Sequence, residues 1–170
     1  MKNVDKFVEY RAALQNVMKN MAVYTKVPTY LLRLSISDIN VFETCCNTAY
    51  DSVTGELLWN EINIDLKTLR FLGSEFIYSL IGHELGHAEA RYLTLGLSNK
   101  DEEKYADIRA MEILYNGGLD PRMCIEELHL WSRRYGYDSI GDGEHPTGRE
   151  RIDNLENHLK KNNWLIKSFL

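Results

Sequence analysis

FIYSLIGHELGHAEARY, residues 76–92, carries two histidines four positions apart with a glutamate directly after the first, in the order H-E-x-x-H. Phe76, Ile77, Leu80, Ile81, Leu85 and Ala88 cover more than one stripe of a 3.6-residue period. That pattern predicts a helix from about Glu75 to Tyr92, capped by Ser74 and running through the centre of the domain. Residues four apart stack on one helical face about 6 Å up the axis, so His83 and His87 can aim ring nitrogens at a single ion. Glu84 lies off that line and can instead reach a water in the open position of a metal, as a general base. Burying two histidines on so apolar a helix without partners would be costly, which favours a metal over a chance pair.

Catalytic zinc takes three protein ligands and keeps a fourth position open. His129, His145, His158 and several acids lie downstream. In DEEKYADIRAMEILYNGG, residues 101–118, Glu103, Ala106, Asp107, Ala110, Ile113 and Leu114 share one helical face. Two carboxylates opening an otherwise small and apolar face fit a site where Glu103 ligates the ion. Asp107, one turn on, would then accept a hydrogen bond from a ligating imidazole. The dipole of a helix N-terminus also suits acids, which accounts for Asp101, Glu102 and Glu103 better than for Asp107.

Outward from this pair, the helix holding Glu103 is expected to start near Ser98 or Asp101 and to stop at Gly117 and Gly118. LDPRMCIEELHLWSRR restarts with Asp120 as N-cap and Pro121 in the first turn. A last helix opens at Pro146 in HPTGRERIDNLENHLKK. Toward the N-terminus, Val4, Phe7, Leu14, Val17, Met18 and Met21 recur at helical spacing, and Pro28 breaks that pattern. YLLRLSIS, INVFETCCNTAY and GELLWNEINID read as strands, the last two separated by the turn-like DSVTG. In the third, one face is apolar from Leu58 onward, which fits a half-exposed or edge strand. The expected architecture is α+β: one mainly helical domain over residues 1–170, with a small, mostly antiparallel sheet in the N-terminal half.

H-E-x-x-H followed by E-x-x-x-D, here EKYAD at 103–107, resembles the signature of the gluzincin zinc peptidases. The run EKYADIRAMEILYNGGLDPRMCIEEL and the later HPTGRERI look like the soluble catalytic core of the CaaX-prenyl-protease/HtpX-like metallopeptidases, matched over residues 74–152. The resemblance implies a zincin-like fold with one Zn²⁺ per chain, ligands His83, His87 and Glu103, Glu84 as base and Asp107 behind a ligand. It also implies that His145 lies near the metal, stabilising an oxyanion or gating access, and that Arg151 holds that region by ion pairing. A glycine-rich loop and a helix-initiating Pro146 place His145 at a loop end. Many members carry transmembrane helices, and this sequence has none, so membrane substrates are not carried over.

The activity so implied is zinc-dependent endopeptidase, with peptide or unfolded protein laid as an added strand along an edge, for which LLWNEINID is the candidate. A regulatory peptidase of the ImmA/IrrE type, acting on a repressor, is the second reading. HPTGRERI and NGGLDPR favour the first. A non-catalytic zinc protein would not need Glu84. A peptide deformylase would need a cysteine ligand in a motif unlike ETCCNTAY. The apolar NNWLIKSFL is expected to close the core against the first helix, and packing into the cleft instead would give a latent enzyme. A net charge of −5 argues against a nucleic-acid partner, and no segment approaches the roughly 20 apolar residues of a membrane span. Three cysteines, two of them adjacent, read as reduced thiols. A cytoplasmic monomer is the expectation.

Overall fold

The structure, a computed structural model, describes residues 2–136 and 146–164. A long helix, α1 (Lys2–Ala22), turns through a short 3₁₀ segment into strands β1 (Leu32–Ser37), β2 (Thr44–Tyr50) and β3 (Leu57–Asp65). Helices α2 (Leu66–Leu72), α3 (Ile77–Tyr92), α4 (Asn99–Asn116), α5 (Met123–Tyr135) and α6 (Gly148–Lys161) follow. The class is α+β, as read from the sequence. One cluster of buried apolar side chains draws on all of these elements: Leu14 and Met18 of α1, Leu34, Cys46 and Ile62 of the strands, Leu85, Met111 and Leu155 of the helices. Each such side chain, fully buried, contributes about 1.5–3 kcal/mol.

The sheet order is β1-β3-β2, with β1 parallel and β2 antiparallel to β3. Two expectations are thereby corrected. The sheet is mixed rather than mostly antiparallel, and LLWNEINID is its centre rather than an edge. The polar residues that suggested an exposed rim are bonded across the sheet instead. Thr48 Oγ1 donates to Asn60 Oδ1 at 2.7 Å, Asn63 Nδ2 donates to Ser35 Oγ at 2.8 Å, and Ser37 Oγ donates to Asn63 Oδ1 at 3.2 Å. Asn60 shares its face with Ile62 and Ile64, opposite Asn63, and all three are fully buried.

Helix α2 was not anticipated. Asp65 ends β3 and caps α2 by accepting from Lys67 N at 2.9 Å, while the same carboxylate takes Ile39 N at 2.9 Å. Gly73, at φ +74°, ends α2 in the left-handed region that only glycine enters freely. The chain needs residues 74–76 to turn from there, so α3 starts at Ile77, and Ser74 does not cap it. Ser98 caps α4, accepting from Asp101 N. Asp120 holds the turn before α5 through Arg122 N, and the helix proper begins at Met123. Thr147 caps α6 in a reciprocal capping box with Glu150, so the helix opens at Gly148 rather than at Pro146.

α3 and α4 pack unusually close. A Cβ on Gly86 would lie 2.6 Å from Ala106 Cα and 2.8 Å from Ala106 O, and one on Gly82 would lie 3.3 Å from Ala110 Cα. The glycines of G-H-E-L-G-H, residues 82–87, and the alanines of α4 let two backbones meet. That approach brings the start of α4 alongside residues 83–87.

Candidate metal centre

His83 and His87 lie one turn apart on α3, and their Nε2 atoms are 3.1 Å apart. Glu103, in the first turns of α4, sets one oxygen 3.4 Å from His83 Nε2 and the other 3.3 Å from His87 Nε2. The opposite nitrogens are both engaged by carboxylates. His83 Nδ1 is 2.9 Å from Asp107 Oδ1, and His87 Nδ1 is 2.8 Å from Glu102 Oε1. Ionised carboxylates only accept, so each Nδ1 donates and each Nε2 of a neutral ring is left with a lone pair. Two nitrogen lone pairs and a carboxylate therefore point at one another with no donor between them.

Only a cation relieves that convergence. Protons are one answer: burial lowers the His83 pKa, but Asp107 and Glu103 outweigh it and push it up to about 10. A metal ion is the other. Ligand atoms about 2.0–2.1 Å from a tetrahedral zinc lie about 3.3 Å apart. The two Nε2 atoms are 3.1 Å apart, and each has a different Glu103 oxygen at 3.3 or 3.4 Å, so the carboxylate can supply the third ligand with one oxygen or both. His83, His87 and Glu103 are also the set of His, Cys, Asp and Glu side chains among the described residues that could hold an ion together. The residues present fit zinc. His158 instead approaches Glu112 at 3.5 Å, and His129 lines a separate surface hollow with Glu75 and Glu126.

Asp107 is buried, 4% exposed, and held by Arg151 through Nε at 2.8 Å and Nη2 at 2.6 Å. Burial raises its carboxyl, and the guanidinium outweighs burial and holds the pKa at about 2. Arg151 also reaches Glu103 at 3.5 Å, so α6 braces both α4 carboxylates. Glu84 is 4% exposed, and burial raises its pKa against the opposing pull of His83 and His87. It faces a cavity of about 470 Å³, which His83 also lines. Its burial sets a carboxylate on the cavity wall beside His83.

Sequence reading placed His83, Glu84, His87, Glu103, Asp107 and Arg151, and the structure brings all six together. His145 lies outside the described residues, as does residues 165–170 of the apolar tail. Three contributors were missed. Glu102, taken as a helix-dipole acid, is the partner of His87. Arg91 holds Glu102 at 2.9 Å through Nε and Nη2 and reaches across to the Cys46 carbonyl of β2 through Nη1. Glu127 of α5 is a third buried carboxylate on the cavity wall. The demand of His87 Nδ1 for an acceptor was the one available signal, and it pointed to no particular acid. No protein-family model matches the chain, and no curated protein matches it significantly.

Proposed function

We propose that this protein is a zinc-dependent endopeptidase, a gluzincin akin to the soluble core of the CaaX-prenyl-protease/HtpX-like enzymes. The observation that carries it is the convergence of His83 Nε2, His87 Nε2 and the Glu103 carboxylate beside a cavity on which Glu84 opens. Zinc, when bound, supplies a Lewis acid to a water and to a peptide carbonyl. Asp107 and Glu102 fix the tautomers of His83 and His87, keeping both Nε2 lone pairs for the metal. Glu84 takes a proton from the attacking water as the water oxygen bonds to the carbonyl carbon. It then delivers that proton to the amide nitrogen as the C–N bond breaks, and leaves ionised for the next cycle.

The substrate strand pairs with β2, the edge beside α3. Successive residues of a strand direct their amide groups to opposite sides. Glu43 O is taken by Asp65 N on the β3 side, and Cys46 O is taken by Arg91 on the other. Thr44, two before Cys46, therefore presents its N–H and C=O to the open side, where it also lines the cavity.

The test is cleavage of denatured casein with zinc determined on the same sample, wild type against Glu84→Gln. Near one zinc per chain in both is expected, with the variant slower by about 10²–10⁴-fold. Absence of zinc from both would sink the ligand assignment. Zinc in both without cleavage by wild type would sink the peptidase reading while leaving the metal site intact.

A further inference from the structure

The cavity runs on from the metal cluster to a wall built by one face of α5, and that wall is chemically specific. Glu127, 8% exposed, accepts from Ser79 Oγ on one oxygen and from Trp131 Nε1 at 3.2 Å on the other. Each carboxylate oxygen accepts two hydrogen bonds, so both have a lone pair left. Ser132, one position beyond Trp131 and 7% exposed, lines the same cavity, and its Oγ has no hydrogen-bond partner. Thr44 Oγ1, on the facing β2 strand, is likewise buried and unpartnered. Buried hydroxyls left in this state cost stability unless a hydrogen-bonding partner is supplied, and their lone pairs can accept from a donor placed in the cavity. Phe42 and Trp131, with ring centroids 6.0 Å apart, give the cavity aromatic sides.

Charge points the same way. Glu43, Glu84, Asp107 and Glu127 line the cavity against Arg151, which is committed to Asp107 by two hydrogen bonds. Burial pushes the Glu127 carboxyl up, against Ser79 and Trp131, and a cation beside it would favour the ionised form.

We infer that this cavity is the specificity pocket of the site and takes a basic side chain, so that the substrates are peptides with lysine or arginine flanking the cleaved bond. An aliphatic stem packs along the aromatic wall that Phe42 and Trp131 form edge to face, and aromatic rings also attract a cation. An ammonium or guanidinium offers several donors and no acceptor, which suits Glu127 with the two idle hydroxyls. The inference rests on the peptidase reading for the cleaved bond, but the pocket chemistry does not.

Two measurements separate the two. In the first, cleavage sites in denatured casein are mapped by mass spectrometry for wild type and Glu127→Gln, which keeps the shape of the side chain. Sites flanked by lysine or arginine are expected for wild type. The kcat/KM preference for a lysine over a leucine peptide should fall at least about tenfold in the variant. In the second, n-butylammonium and 1-pentanol are titrated calorimetrically into zinc-loaded Glu84→Gln, with and without Glu127→Gln. Only the amine should bind, and at least about tenfold more weakly without the carboxylate. Cleavage flanked by apolar residues with a preference unchanged in Glu127→Gln overturns the inference, as does a pocket that takes pentanol as well as the amine. Amine binding that depends on Glu127, with no cleavage of any peptide, defeats the peptidase reading and upholds the pocket. Should Glu127→Gln not fold, inhibition of wild-type cleavage by n-butylammonium but not by pentanol decides the matter without a variant. If wild type cleaves nothing, amine-over-pentanol binding to zinc-loaded Glu84→Gln decides it.

Discussion

His87 depends on a residue whose sequence position suggested a different role. Glu102 sits where acids serve a helix dipole, yet its Oε1 lies 2.8 Å from His87 Nδ1 and is pinned by Arg91. Such partners orient a ligand and raise its basicity, and losing one costs about 10–100-fold in metal affinity. Glu102→Ala is therefore expected to weaken zinc binding by that factor in a competition titration against a chromophoric chelator. An affinity within twofold of wild type would mean that His87 needs no such partner. The candidate ligand cluster was legible because H-E-x-x-H and the spacing of Glu103 and Asp107 are properties of helical faces. Glu102, Arg91 and Glu127 were not, since each acquires its role by meeting another element.

Two short segments set how the elements meet. Gly86 allows α3 and α4 their backbone contact, and a Cβ there would lie 2.6 Å from Ala106 Cα. Backbone cannot yield as a flexible side chain does, so Gly86→Ala forces the helices apart. The expected loss is about 1–3 kcal/mol in urea denaturation, with weaker zinc binding because Glu103 rides on α4. A stability equal to wild type would show that the helices slide freely. Asp65 is the second. Burial raises its carboxyl, and donors from Lys67, Ile39, Ser37 and Asn40 outweigh burial and hold it below the ordinary range. A pKa lower in the folded than in the unfolded chain stabilises fully above the unfolded value, near about 3.9, and that contribution fades as pH falls through the folded value. Asp65→Ala should cost about 1–2 kcal/mol at pH 7. The gap to wild type should narrow as pH is lowered from 5 toward 2, and a gap independent of pH would sink this account. The longer helices and the three strands were readable from periodicity to within a few residues at their ends, whereas the seven-residue α2 was not. The order of the strands was not, because Asn60 and Asn63 look like solvent-facing residues until Thr48, Ser35 and Ser37 are placed opposite them.

Taken whole, the molecule joins its sheet, α3, α4 and α6 at one point. Arg91 ties β2 to Glu102, and Arg151 ties α6 to Asp107. Among the described residues no helix is long and apolar enough to cross a membrane. A ligand bound only by the folded state stabilises by about 4 kcal/mol at a thousand times its dissociation constant. For a domain of this size that amounts to about 10 °C in Tm. Saturating zinc should therefore raise the Tm of wild type and of Glu84→Gln equally and leave His83→Ala unmoved. A chelator that does not alter the wild-type Tm would refute a metal bridging α3 and α4. The close α3–α4 pairing also sets an order of assembly. Its partners are neighbours along the chain, and such local contacts close far sooner than the parallel pairing of β1 with β3 across the intervening β2. His83, His87 and Glu103 can thus come together while α6 is still untranslated and β1 has yet to join the β2–β3 hairpin. Asp107 must wait, charged and solvated, for an arginine 44 positions later. A metal held by this cluster would then be captured before the core is complete, and the nascent helical hairpin would serve as a template on which the rest of the chain condenses.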